Sequence, residues 1–284
     1  MGVLLLPGVA PAGDTSVTDD FGSRVSLAVP AQRIIALYGA FNEILAAMGL
    51  EERIVGRTKA DSLPPSIISK PSIGTHMRPN IEVILALKPD LIIQSAGRKE
   101  GAAMVDQLRK AGLSVAVFSP NSFDGLFSVI RRLGVLTGEK PAGENLVGSI
   151  EKRLAEVETR IRGVESRPSV FFEVRHTNLL AAGRGSIVNE IIERAGGQNC
   201  IDLPKKMVRI GMETLIEKNP QIYLVQKGPM NQNPSLPSER SQFEVLDAVK
   251  KGRFLVVDEQ VYSRPGPRSV EAVEELARFL HPER

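Results

Sequence analysis

Tryptophan is missing from this 284-residue chain, and only three tyrosines and three histidines are present. The side chain best suited to stacking on a large flat ligand is therefore unavailable. Cysteine is nearly absent as well: Cys200 stands alone, which excludes an internal disulfide and any multi-cysteine metal centre. Neither sign of charge dominates. Thirty-six basic and 33 acidic residues leave a net charge of +3, and the basic residues are scattered, so no nucleic-acid partner is expected. Catalytic signatures are missing too. No Gly-x-Gly-x-x-Gly fingerprint follows a strand pattern, and there is neither a phosphate-binding P-loop nor a Gly-x-Ser-x-Gly elbow. Gly183-Arg184-Gly185-Ser186 has only a superficial likeness to a phosphate loop.

What is present is ordinary for a globular protein: 42% hydrophobic and 24% charged residues. The length suffices for two domains or one large α/β domain. Residues Gly2 to Val9 are mostly apolar, and Ala10-Pro11-Ala12 has the small-x-small form of a signal-peptidase site, yet no basic residue precedes Arg24. Residues 1–18 therefore read as the remnant of a signal peptide or as an unstructured apolar tail. The apolar stretch is far too short to span a bilayer, and no cysteine follows it as a lipid-anchor site.

From residue 19 onward, helix and strand patterns alternate. Asp19 to Ala28 suits a short strand or hairpin, and Arg33 to Leu50 a buried strand, a turn at Tyr38-Gly39 and a helix. Glu52 to Thr58 adds a strand. Asn80 to Gly97 reads as a helix stopped at Lys88-Pro89-Asp90 and a strand from Leu91 to Gln94; Met104 to Pro120 repeats the plan, with Gly112 ending the helix. Such alternation predicts mainly parallel sheets with helices on their faces. From Pro141 to Val164 no strand signal occurs. Val147, Leu154 and Ile161 lie seven apart, as do Ile150, Val157 and Val164, which gives one apolar stripe on a helix about 34 Å long. The stripe suits a long helix lying across two lobes better than a coiled-coil seam, which would want more heptads. After Arg167-Pro168 the alternation resumes: a strand at Ser169 to Val174, a helix from Ser186 ended by Gly196-Gly197, and the unit METLIEKNPQIYLVQ. That unit mirrors IEVILALKPDLIIQ of the first half, a weak internal repeat. A helix from Phe243 to Lys250, a strand from Phe254 to Val257 and a loop from Tyr262 to Arg268 follow. A last helix then buries Val270, Val273, Ala277 and Leu280. The expected organisation is an N-terminal lobe over 19–138, a linker helix over 139–166 and a C-terminal lobe over 167–284.

In order, RIIAL and NEILAAMG, Val55-Gly56, NIEVILALKPDLII, the linker helix, GSIVNEIIERAGGQN, METLIEKNPQIYL and the terminal RPGPRSVEAVEELARFLHP carry a resemblance. From about Asp19 to its end the chain resembles the ABC-transporter periplasmic substrate-binding proteins that capture iron siderophores, haem and cobalamin. The resemblance implies an α/β fold of two lobes joined by one long helix, with the ligand held between them. It implies a periplasmic or extracytoplasmic monomer with no cofactor and no enzymatic activity, handing a small-molecule metal chelate to an ABC permease and its ATPase complex. It also implies a docking glutamate on each lobe, which falls at Glu82 and Glu213. Two acidic knobs would provide electrostatic steering and a fixed register; read without the family, both are early-helix carboxylates favoured by the helix dipole.

Ligands of open parallel sheets sit beyond the carboxyl ends of the strands. The loops expected there bring Tyr38, His76, Arg78 and Arg98 in the first lobe, and Arg175, His176, Arg184, Tyr262, Arg264 and Arg268 in the second. Arginine offers planar bidentate donors to oxyanions, which favours a ferric siderophore or an iron–carboxylate complex over cobalamin and haem. Histidine or tyrosine ligation of a haem or cobalamin metal from His76, His176, Tyr38 or Tyr262 is the alternative. A bare metal ion would need more ligands, with Glu173 the one extra candidate. Asn231 to Pro237 is either a lid or a plain surface loop. Readings of another class, an α/β enzyme or a sensor that keeps this fold without a permease, stay open, because fold alone does not assign function.

Overall fold

The structure is a computed structural model and describes residues 15–95 and 99–283. Two compact units divide it: 1–119 with 129–145, and 120–128 with 146–284. The linker helix does not stand apart from the lobes. It runs from Lys140 to Arg160, and the unit boundary falls inside it, between Asn145 and Leu146. Its apolar stripe is buried within the chain at Val147, Ile150, Leu154 and Val157.

In the first unit, strands β1 (Ser16–Thr18) and β2 (Arg24–Ser26) form an antiparallel hairpin. Residues 15–18 thus belong to the fold rather than to a tail; residues 1–14 lie outside the described residues. The main sheet holds β3 (Ile34–Ala36), β4 (Ile54–Gly56), β7 (Leu91–Ser95) and β8 (Val115–Phe118) in the order β4-β3-β7-β8, all parallel. A two-residue-per-strand hairpin, β5 (Gly74–Thr75) and β6 (Arg78–Pro79), stands beside it. Helices α1 (Gly39–Ala47), α2 (Ile81–Ala86), α3 (Lys99–Lys110), α4 (Phe123–Thr137) and α5 (Lys140–Arg160) follow in chain order. β3 and β8 are buried along their whole length, as a central parallel strand covered on both faces must be. Ile35, Leu37, Ile73, Ile84, Ile92 and Leu108 share one core cluster. Arg53 ties the α4–α5 turn back to this unit, donating to the carbonyls of Ala31 and Thr137 and pairing with Glu139.

In the second unit the expected parallel sheet is only partly parallel. Strands β9 (Ser169–Arg175), β13 (Ile222–Lys227) and β14 (Phe254–Asp258) run parallel, and β11 (Gln198–Asn199) joins β9 in the same sense. On the other side, β10 (Leu180–Ala182) turns back antiparallel on β9, and β12 (Met207–Arg209) turns back on β10. A single turn of 3-10 helix at His176–Asn178 makes that reversal, with Leu179 in the left-handed region (φ 40°). So short a connection excludes a helical crossover and forces a hairpin. Helices α6 (Ile187–Arg194), α7 (Met212–Lys218), α8 (Asp247–Lys250), α9 (Glu259–Tyr262) and α10 (Ser269–Leu280) complete the unit. The helix expected over Phe243–Lys250 is a 3-10 turn ending at Phe243 followed by the one-turn α8. The start of α4 belongs here because the Phe123 amide donates to Glu190 on α6 and Arg194 lies over the Phe123 ring. The far half of α5 is pinned to α10 by a bidentate pair, Arg153 with Glu274 at 2.7 and 2.8 Å.

The internal repeat is structural. Six residues after each glutamate the chain enters the left-handed region on a residue that precedes proline: Lys88 at φ 47° before Pro89, and Asn219 at φ 36° before Pro220. Two residues later, Asp90 and Gln221 do the same work. The Asp90 carboxylate accepts from the amides of Gln32 and Arg33, which lead into β3, and the Gln221 side chain accepts from the Ser169 amide that begins β9. Each backbone amide also donates to the carbonyl opposite, Asp90 to Arg33 and Gln221 to Ser169. Both units therefore set the register of the neighbouring strand with one side chain at one position.

Candidate functional site

Each unit offers loops at the carboxyl ends of its parallel strands, and most residues singled out above lie there. In the first unit Tyr38 follows β3 and is the N-cap residue of α1, half-buried with its ring edge-on to Phe41 at 5.9 Å. His76 and Arg78 are exposed on the β5–β6 hairpin. That hairpin is held firmly. Its turn needs Gly74 (φ 93°), where a Cβ would come within 2.8 Å of the Arg78 carbonyl. Gln94, buried at the end of β7, donates to the His76 carbonyl at 3.3 Å. Asn80 then caps α2 by accepting from the Val83 amide, so the hairpin and the Glu82 helix are one continuous, braced segment. Arg98 lies outside the described residues.

In the second unit Arg175 ends β9 and His176 begins the turn beyond it. His176 is half-buried with its ring edge-on to Phe243 at 5.6 Å. Burial, then the positive charge of Arg240, pushes its imidazole below the ordinary value against an upward pull from Glu173. Arg264 pairs with the buried Glu259 at 3.3 Å. Arg268 is the N-cap residue of α10, and the proline-rich loop between the two arginines is locked on Ser269, whose hydroxyl accepts from the Gly266 amide. Gln226, fully buried at the end of β13, accepts from the Ser263 hydroxyl through Oε1, while its Nε2 has no partner among the described residues.

Three expectations are corrected. Tyr262 is a core residue and not a ligand contact: it is 0% exposed in α9, its ring stacks on Phe172, and its hydroxyl donates to Glu275. Arg184 does not join Arg175. The antiparallel course of β10 carries it toward the opposite end of β9, where it pairs with Asp202 in solvent. Glu173 is no spare metal ligand. It is 0% exposed and grips Arg240 through both oxygens, at 2.5 and 3.0 Å, while accepting from the Tyr223 hydroxyl at 2.5 Å. Among the described residues no three His, Cys, Asp or Glu side chains come together to hold a metal ion.

The same cluster decides the fate of the 231–237 loop. Arg240, behind it, donates to Ser235 and is anchored in the core by Glu173; Asn231, at its front, donates to the Gln226 carbonyl. Both ends are stapled to the sheet, which is the arrangement of a fixed wall and not of a lid. The sequence held no signal for Arg240, because it lies between two 3-10 turns and its partner is 67 residues away on β9. Arg209 was also missed. It sits on the three-residue strand β12, whose alternation of exposed, buried and exposed residues is too short to stand out.

Glu82 and Glu213 are exposed in the first turns of α2 and α7. One turn further on, each helix also exposes an apolar side chain, Leu85 at 42% and Ile216 at 45%, while Ile84 and Leu215 between them are fully buried. Equivalent positions of the repeat thus present the same two groups to solvent.

Comparison with known proteins places these features in context. A family model described as periplasmic binding protein matches residues 34–277. An ABC transporter substrate-binding lipoprotein of Bacillus subtilis is 26% identical over 273 residues, covering 94% of this chain and 86% of that protein. The vitamin B12-binding protein of Vibrio cholerae is 24% identical, covering 88% and 90%. Among solved structures, the apo form of a periplasmic haem-binding protein from Roseiflexus sp. RS-1 is similar with a TM-score of 0.76 and 27% identity, over 89% of this chain and 98% of that one.

Proposed function

Since the chain belongs to the periplasmic binding protein family, we propose that it is the substrate-binding component of an ABC importer. It captures a metal chelate, foremost a ferric siderophore or related iron chelate, outside the cytoplasm, and delivers it as a monomer to an inner-membrane permease with its ATPase. The observation that carries this reading is the duplicated helix–turn–strand unit, which sets an exposed glutamate at the same position of each lobe. A carboxylate at the start of an exposed helix beside an apolar residue suits a partner with a basic, partly apolar surface. On this reading Glu82 and Glu213 dock the permease, while Tyr38, His76, Arg78, Arg175, His176, Arg264 and Arg268 face the ligand. The β5–β6 hairpin supports the pairing of roles, because ligand-facing His76 and Arg78 lead directly into the Glu82 helix. The similarity to a vitamin B12-binding protein over most of the chain makes cobalamin the second reading.

The test is a melting-temperature screen against ferric siderophores, ferric citrate, haemin and cyanocobalamin. A probe at a hundred times its dissociation constant stabilises by about 2.7 kcal/mol, a shift of several degrees. One responding class identifies the cargo; no response from any would remove the proposal.

A further inference from the structure

Two arginines of the second unit converge without an acid between them. Leu180 on β10 pairs across the sheet with Arg175 on β9 and with Arg209 on β12, so the two flank one residue at the carboxyl end of β9. Both meet the Asn178 side-chain amide: with that amide turned so that its oxygen rather than its nitrogen faces them, its oxygen accepts from Nη2 of Arg175 at 2.9 Å and from Nη2 of Arg209 at 3.2 Å. Sharing one acceptor atom keeps the two cationic groups within a few ångströms of each other, where like charges repel. Neither makes an ion pair among the described residues, although eleven arginine or lysine side chains of this protein do. Glu173, two residues before Arg175, is consumed by Arg240 and Tyr223. A guanidinium carries five N–H donors, and a single neutral amide oxygen leaves most of those on both arginines unused. Arg209 is exposed and Arg175 half-buried, so a ligand can reach the pair.

We infer that Arg175 and Arg209 form a seat for a ligand carboxylate, and that the captured chelate is one carrying ionised carboxylates. A carboxylate set between two planar forks relieves their repulsion and accepts charge-assisted bonds from both. Citrate-type iron chelates and the propionates of haem supply such a group. A corrin whose side chains are neutral amides does not. The inference rests on the proposed capture of a chelate and narrows its chemistry. Asn178 keeps both guanidiniums in position while the seat is empty.

Binding of ferric citrate, haemin, cyanocobalamin and metal-free citrate is measured by calorimetry and melting on the wild-type chain and on Arg175→Gln, Arg209→Gln and Arg209→Lys. The expected result is a roughly ten- to hundredfold loss of affinity for ferric citrate or haemin in each glutamine variant. The lysine variant recovers part of that loss, since it keeps the charge without the fork. The apo melting temperature of Arg209→Gln does not fall, because that side chain is exposed and its loss relieves the repulsion. The ferric citrate and haemin arms separate the two sources of carboxylate. Equal affinities in wild type and glutamine variants would overturn the inference, as would tightest binding of cyanocobalamin by the wild type. If none of the three chelates binds but metal-free citrate raises the melting temperature of the wild type and not of Arg209→Gln, importer function as read above fails and the seat stands. If citrate acts equally on both proteins, the seat fails.

Discussion

The buried Glu173–Arg240 pair is the place where one substitution should do most damage. Glu173 is 0% exposed and Arg240 3% by side chain, and two bonds of 2.5 and 3.0 Å join them. Arg240→Met keeps the length of the side chain and its contact with Phe243 but strands a carboxylate whose remaining partner is the Tyr223 hydroxyl. Breaking a buried pair from one side costs about 3–5 kcal/mol, because the surviving charge has lost its water and its counter-ion together. A urea titration at pH 7 should therefore show a loss of that size. Hydrogen exchange should rise between residues 228 and 240, where Arg240 holds the loop through Ser235. The triple variant Glu173→Leu, Tyr223→Phe, Arg240→Met removes the charges and the hydroxyl that would be left without an acceptor. It should regain at least about 2 kcal/mol over the single variant, since an apolar replacement of a buried pair is often neutral. A single-variant loss below about 1 kcal/mol, the worth of an exposed pair, would refute the reasoning and show that water reaches the site.

Other consequences are open to simpler tests. Glu82→Ala with Glu213→Ala should cut uptake through the cognate permease on the order of tenfold or more while leaving chelate affinity unchanged, and Leu85→Ser with Ile216→Ser should weaken docking in the same assay. The Arg153 hydrogen bond holds the Glu274 carboxyl below its ordinary 4.5. That contribution is therefore complete above pH 4.5 and fades as pH falls through the lowered folded value. Glu274→Gln should flatten the acid limb of the stability curve by about 1 kcal/mol or less, as solvent screens this partly exposed pair. His176 behaves in the same direction: its lowered folded value makes stability fall as pH drops below 6.5, and His176→Gln should remove that component. Burial pushes the Cys200 thiol up to about 12, so a thiol reagent at pH 8 should label it only after denaturant is added.

Residue order and periodicity alone determined that this is a two-lobed α/β chain with a long amphipathic helix and a repeated helix–proline–strand unit. Those features are written in local spacing: seven-residue apolar intervals, Lys88-Pro89 and Asn219-Pro220, and continuous Val/Ile/Leu runs that demand burial on both faces. The positions of Glu82 and Glu213 were legible for the same reason, since a helix start is a local signal. What only the tertiary structure decided depends on partners distant in sequence. Tyr262 fell in a polar, proline-rich stretch and read as a loop residue, yet Phe172, some ninety positions earlier, stacks on it and takes it into the core. The antiparallel turn after β9 separated Arg184 from Arg175 and brought in Arg209 instead, because strand direction is set by a three-residue turn and not by composition. Glu173 could be known as a structural anion only once Arg240 was beside it. A side chain's chemistry is local, but whether its charge is solvated, paired or left over for a ligand is a property of the neighbours that folding supplies.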